Sequence, residues 1–202
     1  MGNSLKKIGF FGGSFDPVHL GHINLALRIM EQKGLDQVLF CPANISPTKE
    51  NAPPVAQARH RMNMLQLALE DLPGCDPYDA EIKRDPPSYT VDTLKEIEGE
   101  LYLIVAEDTA YSFMEWKDIE KVLEIAPPLI GVRHGFDQKK LDIFPSRIKE
   151  KLISGMCDIP AMDISSTEIR DRLKKRLYCA HLVQGKVLDY IHQNTIYSSE
   201  YG

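Results

Sequence analysis

The sequence predicts an α/β fold built on an open, mostly parallel β-sheet. Short apolar runs alternate with segments whose apolar residues recur at helical spacing, which is the pattern of strands joined by crossover helices. The run at residues 101–105 is almost wholly apolar, as a strand covered on both faces requires. With 202 residues, of which 43% are hydrophobic, the chain is long enough for a sizeable core. We therefore expect a single domain over residues 1–202, with a helical C-terminal part from about residue 164.

The first half of the chain opens with a buried strand at residues 8–11 and a helix at residues 23–30, which Gly34 is placed to end. A strand at residues 37–41 leads into a proline-rich loop. The further elements expected here are a helix at about 55–72, a short strand at 78–82 and a helix from Ser88 or Thr90 to about 98.

The second half continues the alternation from the central strand at residues 101–105. The elements expected after it are a helical region at 116–123, a strand at 128–132, a helix at 145–153, a strand at 156–159, and helices at 166–176 and 185–193. This regular exchange of strand and helix favours parallel strands.

Composition excludes several classes of partner. A formal net charge of -5 gives no general basic surface for nucleic acid, and no apolar run approaches the length of a membrane span. The N-terminus lacks the apolar core of a signal peptide, so we expect a cytoplasmic protein with neither nucleic-acid nor membrane partners. The four cysteines are widely spaced without a Cys-x-x-Cys pair, which favours reduced thiols over a disulfide framework or zinc site: Cys41, Cys75, Cys157 and Cys179.

The first candidate site lies where the first strand turns into the first helix. Residues 12–22 read Gly-Gly-Ser-Phe-Asp-Pro-Val-His-Leu-Gly-His. Ligands of open α/β sheets bind at such turns, and a helix start offers backbone N–H groups to phosphate. Gly12 and Gly13 allow close backbone approach. His19 and His22 are three residues apart and share one helix face, while Gly21 leaves room beside them.

A second candidate site lies near the C-terminus, where residues 164–170 read Ile-Ser-Ser-Thr-Glu-Ile-Arg. Ser165 and Glu168 have the spacing of a helix-capping box, and that pattern alone favours a plain helix start. Arg170 makes a phosphate-binding site the favoured interpretation, because hydroxyls, N–H groups and a guanidinium at one helix terminus can converge on phosphate.

Both stretches resemble signatures of the nucleotidylyltransferase superfamily. The run Gly-Ser-Phe-Asp-Pro-Val-His-Leu-Gly-His in the first is similar to the superfamily signature with its His-x-Gly-His core. The second is similar to the superfamily's Ile-Ser-Ser-Thr-x-x-Arg motif. The resemblance implies a Rossmann-like sheet with helices on both faces, and the transfer of a nucleoside monophosphate from a triphosphate to a phosphate-bearing acceptor.

Further stretches resemble the bacterial nicotinate-nucleotide adenylyltransferases. Residues 88–94, Ser-Tyr-Thr-Val-Asp-Thr-Leu, look like a run of that family. Trp116 falls where the family places an aromatic ring, although core packing would otherwise be preferred for it. Residues 42–49 resemble its Pro-x-x-x-Pro-Pro-His-Lys loop, with departures at Ser46 and Thr48. The implied substrates are ATP and nicotinate mononucleotide, and the implied products are deamido-NAD and pyrophosphate.

The resemblance also implies roles for individual residues. His19 and His22 would bind the ATP phosphates, with His22 stabilising charge at the α-phosphate. Arg170 would hold the triphosphate. The other implied nucleotide- or acceptor-binding residues are Gly12, Gly13, Ser14, Phe15, Gly21, Lys49, Thr90, Asp108, Trp116, Arg133, Ser166 and Thr167. Mg²⁺ would be held mainly by ATP phosphates and water, without a dedicated metal site in the protein.

Alternatives remain open. The nearest are adenylyltransferases of phosphopantetheine or of nicotinamide mononucleotide. A metal-dependent hydrolase would use Asp16, His19 and His22 as ligands, although Asp16 before a proline is equally a turn residue. A nucleotide-binding module without turnover is another, because residues 105–108, Val-Ala-Glu-Asp, depart from the family pattern. Residues 133–135, Arg-His-Gly, also match that pattern only in part. A homo-oligomer is compatible with the sequence.

Overall fold

A computed structural model describes residues 5–44, 53–132 and 136–198. In these ranges six strands form one sheet: β1 (Lys7–Gly13), β2 (Gln37–Pro42), β3 (Cys75–Pro77), β4 (Glu100–Ala106), β5 (Pro128–Val132) and β6 (Met156–Asp158). Their order is β3-β2-β1-β4-β5-β6, and every neighbouring pair is parallel. The order reverses between β1 and β4, which is the topological switch point of a doubly wound sheet.

Helices connect the strands. Their bounds are α1 (Leu20–Lys33), α2 (Ala58–Leu69), α3 (Thr90–Leu94), α4 (Glu107–Ala110), α5 (Ile119–Ile125), α6 (Ser146–Ser154), α7 (Ser166–Lys174) and α8 (Gly185–Gln193). α1 ends where Gly34 adopts the left-handed conformation at φ 60°, a conformation that glycine reaches without steric cost.

Two apolar cores lie on opposite faces of the sheet, because successive strand side chains point to opposite sides. In β1, Phe11 joins one core while its neighbour Phe10 joins the other. In β4, Ile104 lies in the first core and Leu103 in the second. Buried residues of α1, α2, α7 and α8 cover the first face, and those of α3, α5 and α6 cover the second. The predicted Rossmann-like sheet with helices on both faces is therefore confirmed.

Several predicted elements differ from the structure. The helix expected to reach about residue 98 ends at Leu94, and the one expected to reach about residue 72 ends at Leu69. The strand expected at residues 78–82 is wrong: β3 ends at Pro77, and residues 80–83 form turns that bury Glu81 against the Thr93 hydroxyl. The helix expected from about residue 55 begins at Ala58, because the N–H groups of residues 55 and 56 bind a carboxylate. The helical region expected from Trp116 begins at Ile119, since Trp116 is extended.

The four cysteines are buried and form no disulfides. Within the ranges above, no helix combines the length and apolar character needed to span a bilayer.

Candidate active site

A cleft of about 960 Å³ opens at the carboxyl ends of β1 and β4, the size of a small-molecule site. Gly12 and Gly13 from β1 and Ala106 from β4 line its floor. Residues from the N-terminal turns of both α1 and α7 line it. Eleven of the predicted site residues line this cleft: Gly12, Gly13, Ser14, Phe15, His19, Gly21, His22, Asp108, Ser166, Thr167 and Arg170.

The two histidines form a reciprocal cap at the start of α1. The Nδ1 atom of His19 accepts the backbone N–H of His22 at 3.4 Å, and the Nδ1 atom of His22 accepts the N–H of His19 at 3.2 Å. Their rings stack with centroids 3.6 Å apart. Because each Nδ1 atom is an acceptor, the neutral ring carries its proton on Nε2. Both residues line the cleft, and in this tautomer each ring carries an N–H donor at Nε2.

His19 is held in its neutral form. The residue is 7% exposed, and burial lowers its pKa from 6.5 to about 4. At neutral pH the ring can donate from Nε2 without adding a charge.

Gly21 and Phe15 shape the turn around these rings. A Cβ atom on Gly21 would lie 3.1 Å from the Nδ1 and Cε1 atoms of His19, so a side chain there would press on the ring. Phe15 adopts φ 46°, a conformation that is rare for a bulky residue and typical of constrained functional turns. It is buried and packs edge-on against His22 at 5.0 Å between centroids. The buried Phe15 ring thus holds the His22 ring in place at the edge of the cleft.

The second signature is bonded directly to the first. The Ser166 hydroxyl donates to the Pro17 carbonyl at 2.9 Å, and Nη1 of Arg170 donates to the Asp16 carbonyl at 2.7 Å. Because the only Ser166 hydroxyl proton is used in this way, its contribution to an anion would come from its backbone N–H at the start of α7. Ser165 caps that helix by accepting the N–H of Glu168, as predicted.

Sequence reasoning missed two residues behind the cleft, Arg61 and Tyr197. Arg61 is 1% exposed and donates to the carbonyls of Ser14 and Ala43 at 2.9 and 2.7 Å, which fixes the end of the first signature to the end of β2. One signal for Arg61 was present, since it occupies an apolar-face position of α2, three and four residues before Met64 and Leu65. No sequence pattern pointed to Tyr197.

Thr90 and Trp116, the predicted ring-binding residues, are not among the described residues that line this cleft. They lie near each other on the other face of the sheet. The Nζ atom of Lys117, which follows Trp116, lies 4.1 Å from the centroid of the ring of Tyr89, which precedes Thr90. The Trp116 ring packs against Phe113. Thr90 and Trp116 thus belong to a second region, outside the cleft that the starts of α1 and α7 line.

The predicted residues Lys49 and Arg133 lie outside the described ranges, as do the departures at Ser46 and Thr48.

In the ranges that the structure covers, no group of three His, Cys, Asp or Glu side chains could hold a metal ion. Several atoms of the ligand set in the hydrolase alternative are already hydrogen-bonded to the backbone. The Asp16 carboxylate accepts two backbone N–H groups, and the Nδ1 atoms of His19 and His22 accept two more. These groups serve to shape the turn.

Comparison with known proteins gives consistent matches. A family model described as "Cytidylyltransferase-like" matches residues 10–172. The chain is 37% identical over 200 residues to "Probable nicotinate-nucleotide adenylyltransferase" of Carboxydothermus hydrogenoformans, covering 95% of this chain and 98% of the relative. It is 33% identical over 201 residues to "Nicotinate-nucleotide adenylyltransferase" of Bacillus subtilis, covering 96% and 100%.

Solved structures share the fold. Plasmodium falciparum nicotinic acid mononucleotide adenylyltransferase complexed with NaAD superposes with a TM-score of 0.73 at 22% identity, covering 95% of this chain and 97% of that one. The same enzyme complexed with APC gives a TM-score of 0.72 at 21% identity, with the same coverage.

Proposed function

The chain belongs to the cytidylyltransferase-like family and, within it, to the nicotinate-nucleotide adenylyltransferases, and from this premise we propose that it transfers the adenylyl group of ATP to nicotinate mononucleotide. In this reaction a phosphate oxygen of the acceptor bonds to the α-phosphorus of ATP, and the bond from that phosphorus to pyrophosphate breaks. The products are deamido-NAD and pyrophosphate.

One observation carries the proposal: two helix N-termini and their donor side chains face a single cleft. The His19 and His22 rings stand at the start of α1, and Thr167 and Arg170 stand in the first turns of α7. Backbone N–H groups, imidazole N–H donors and a guanidinium together suit a chain of phosphates.

Positioning and charge stabilisation suffice for this chemistry. The attacking phosphate is already an anion, so the reaction needs no strong general base. His22 donates from Nε2 to the α-phosphate as charge builds on its oxygens. Arg170 and the first-turn N–H groups of α7 hold the β- and γ-phosphates, which become the leaving group.

The cleft can accommodate a Mg²⁺ ion that is bound mainly to the phosphates of the nucleotide. Mg²⁺ keeps several waters and is commonly held by substrate phosphates with one or two carboxylates. Asp108 is exposed at the start of α4 and lines the cleft, so it is the carboxylate placed to hold such an ion, directly or through water. The ion would neutralise phosphate charge.

The acceptor region is the segment from Ser88 to Trp116. The Ser88 hydroxyl accepts the backbone N–H of Asn44 at 3.2 Å, which joins the run at 88–94 to the loop after β2. A pyridine ring stacked on the Trp116 indole would gain about 0.5–1.5 kcal/mol beyond its buried area. We expect Trp116→Ala to raise KM for nicotinate mononucleotide about 2- to 10-fold, with KM for ATP unchanged. Tyr178→Ala removes an exposed aromatic ring and serves as the control.

The decisive experiment measures pyrophosphate and dinucleotide release from ATP and Mg²⁺ with each of three acceptors. Nicotinate mononucleotide should give fast release, and nicotinamide mononucleotide and phosphopantetheine slow release. Faster reaction with either of the latter would overturn the acceptor assignment. Phosphate release without acceptor would indicate the hydrolase, and ATP binding without turnover would indicate the non-catalytic module.

We further propose a cytoplasmic enzyme that needs neither nucleic acid nor membrane, and whose copies can associate. Cell fractionation tests the location, and light scattering of the purified chain tests the association.

A further inference from the structure

A buried carboxylate lies directly behind the phosphate-facing cleft. The Asp16 side chain belongs to a residue that is 3% exposed. Its Oδ2 atom accepts the backbone N–H of Val55 at 2.7 Å, and its Oδ1 atom accepts that of Ala56 at 3.1 Å. The hydroxyl of Tyr197 donates to Oδ1 at 2.5 Å. Asp16 is therefore held by donors from two distant parts of the chain.

Arg170 stands beside this carboxylate without a close hydrogen bond to it. Its Nη1 atom is 3.8 Å from Oδ2 of Asp16 and donates to the Asp16 main-chain carbonyl at 2.7 Å instead. Its Nη2 atom donates to the Thr167 hydroxyl at 3.2 Å. The guanidinium thus stays on the cleft side of Asp16.

The position of the Arg170 guanidinium depends on how many hydrogen-bond donors the Asp16 carboxylate already has. A buried carboxylate that lacks a donor attracts a neighbouring guanidinium into a close, charge-assisted pair. The Tyr197 hydroxyl supplies a donor at Oδ1. Burial and the neighbouring Asp16 charge raise the pKa of Tyr197, so it remains protonated and continues to donate.

We propose that Tyr197 is a positioning residue for adenylyl transfer: by donating to Asp16, it keeps the Arg170 guanidinium turned toward the triphosphate. The inference rests on the proposed function, because that function assigns Arg170 to the ATP phosphates. Loss of the tyrosine hydroxyl leaves Asp16 short of one donor. Arg170 then moves the short distance to the carboxylate and away from the nucleotide.

Tyr197→Phe tests this with minimal change in packing. We expect KM for ATP to rise about 10-fold, the order of one weakened hydrogen bond to a charged group, while KM for the acceptor stays within about 2-fold. Tyr190→Phe is the matched control. Its hydroxyl contacts His60 and Asn63 on α2, away from the cleft, and its KM for ATP should match wild type. An unchanged KM for ATP in Tyr197→Phe, or an equal rise for both substrates, would overturn the inference.

A double-mutant cycle with Arg170 separates positioning from general destabilisation. If Tyr197 acts through Arg170, Tyr197→Phe should change KM for ATP less than 2-fold in an Arg170→Ala background. A full 10-fold effect in that background would show that Tyr197 acts by another route, which contradicts the inference.

Calorimetric binding of Mg²⁺-ATP, with no acceptor present, distinguishes this inference from the proposed function. Absence of binding by the wild-type chain would overturn the proposed function. Binding by the wild type with equal affinity in Tyr197→Phe would overturn the positioning role alone. A weaker Kd in Tyr197→Phe, with wild-type affinity in Tyr190→Phe, would support it.

Discussion

Ser166 and Pro17 are 149 positions apart in the chain, yet the Ser166 hydroxyl donates to the Pro17 carbonyl at 2.9 Å. This bond joins the start of α7 to the turn before α1, and so fixes the distance between the two helix ends that line the cleft. Neither signature alone encloses the cleft.

Ser166→Ala removes this bond and leaves a part-buried carbonyl without its donor. We expect the free energy of unfolding to fall by about 1 kcal/mol and KM for ATP to rise a few-fold, because α7 is less firmly held against α1. Chemical denaturation and steady-state kinetics measure the two effects. Ser154→Ala is the control, since its hydroxyl also donates to a carbonyl but on an exposed part of α6. A KM for ATP that matches this control would show that the bond does not position the phosphate site.

His22→Ala tests the charge-stabilising donor. We expect turnover to fall on the order of 10²–10³-fold, as for loss of a donor that acts in the transition state. KM for ATP should change far less. His192→Ala, in the last turn of α8, should keep wild-type turnover. A loss of less than a few-fold in His22→Ala would show that its imidazole does not act on the reacting phosphate.

His19 should make the stability of the protein depend on pH. Its pKa is about 4 in the folded chain and 6.5 as the reference value, so between these values the unfolded chain binds more protons. The stabilisation that neutral His19 contributes to the free energy of unfolding is therefore fully present above pH 6.5, and it is lost as the pH falls toward 4. The shift corresponds to about 3 kcal/mol.

The comparison variant is His19→Asn, which keeps a side chain suited to cap α1 but does not titrate. Its free energy of unfolding, measured by denaturant titration from pH 7 to 4, should fall about 3 kcal/mol less than that of the wild type. Parallel curves for the two proteins would contradict the assignment of a neutral, buried His19.

Gly21→Ala should separate stability from activity. Alanine favours the helix over glycine by about 1 kcal/mol, but its Cβ atom would press on the His19 ring from 3.1 Å. We expect a free energy of unfolding within about 1 kcal/mol of wild type and a turnover reduced about 10-fold, because the stacked imidazoles shift by a fraction of an ångström. Gly185→Ala, with open space around the added methyl group, should retain full turnover. Full activity in Gly21→Ala would show that the ring position tolerates this displacement.

Local pattern was sufficient to predict the fold and most of the phosphate-facing cleft. The strands around residues 8–11 and 101–105 are uniformly apolar. The glycines, histidines and hydroxyl residues of the two signatures lie close together in the sequence, so each signature can be recognised as a local motif. The misplaced elements have longer-range causes. Residues 78–82 turn because Glu81 reaches Thr93, and α2 starts late because Asp16 binds the N–H groups before it.

The parts that sequence reasoning missed depend on contacts between distant residues. Tyr197 meets Asp16 across 181 positions, and Arg61 reaches Ser14 across 47. No periodicity or motif encodes such pairs. The sequence likewise assigns the Ser166 side chain to the triphosphate, whereas its hydroxyl donates to the Pro17 carbonyl. The motif at residues 164–170 indicates a helix start but does not show which distant carbonyl the Ser166 hydroxyl contacts.

The contact between Asp16 and Tyr197 also bears on how the protein acquires activity during refolding. Closing so long a loop has an entropic cost that is recovered only when the sheet and its covering helices are in place. A refolding chain that has not yet formed this contact should therefore bind ATP about 10-fold more weakly than the native protein, and full affinity for ATP should return together with the contact.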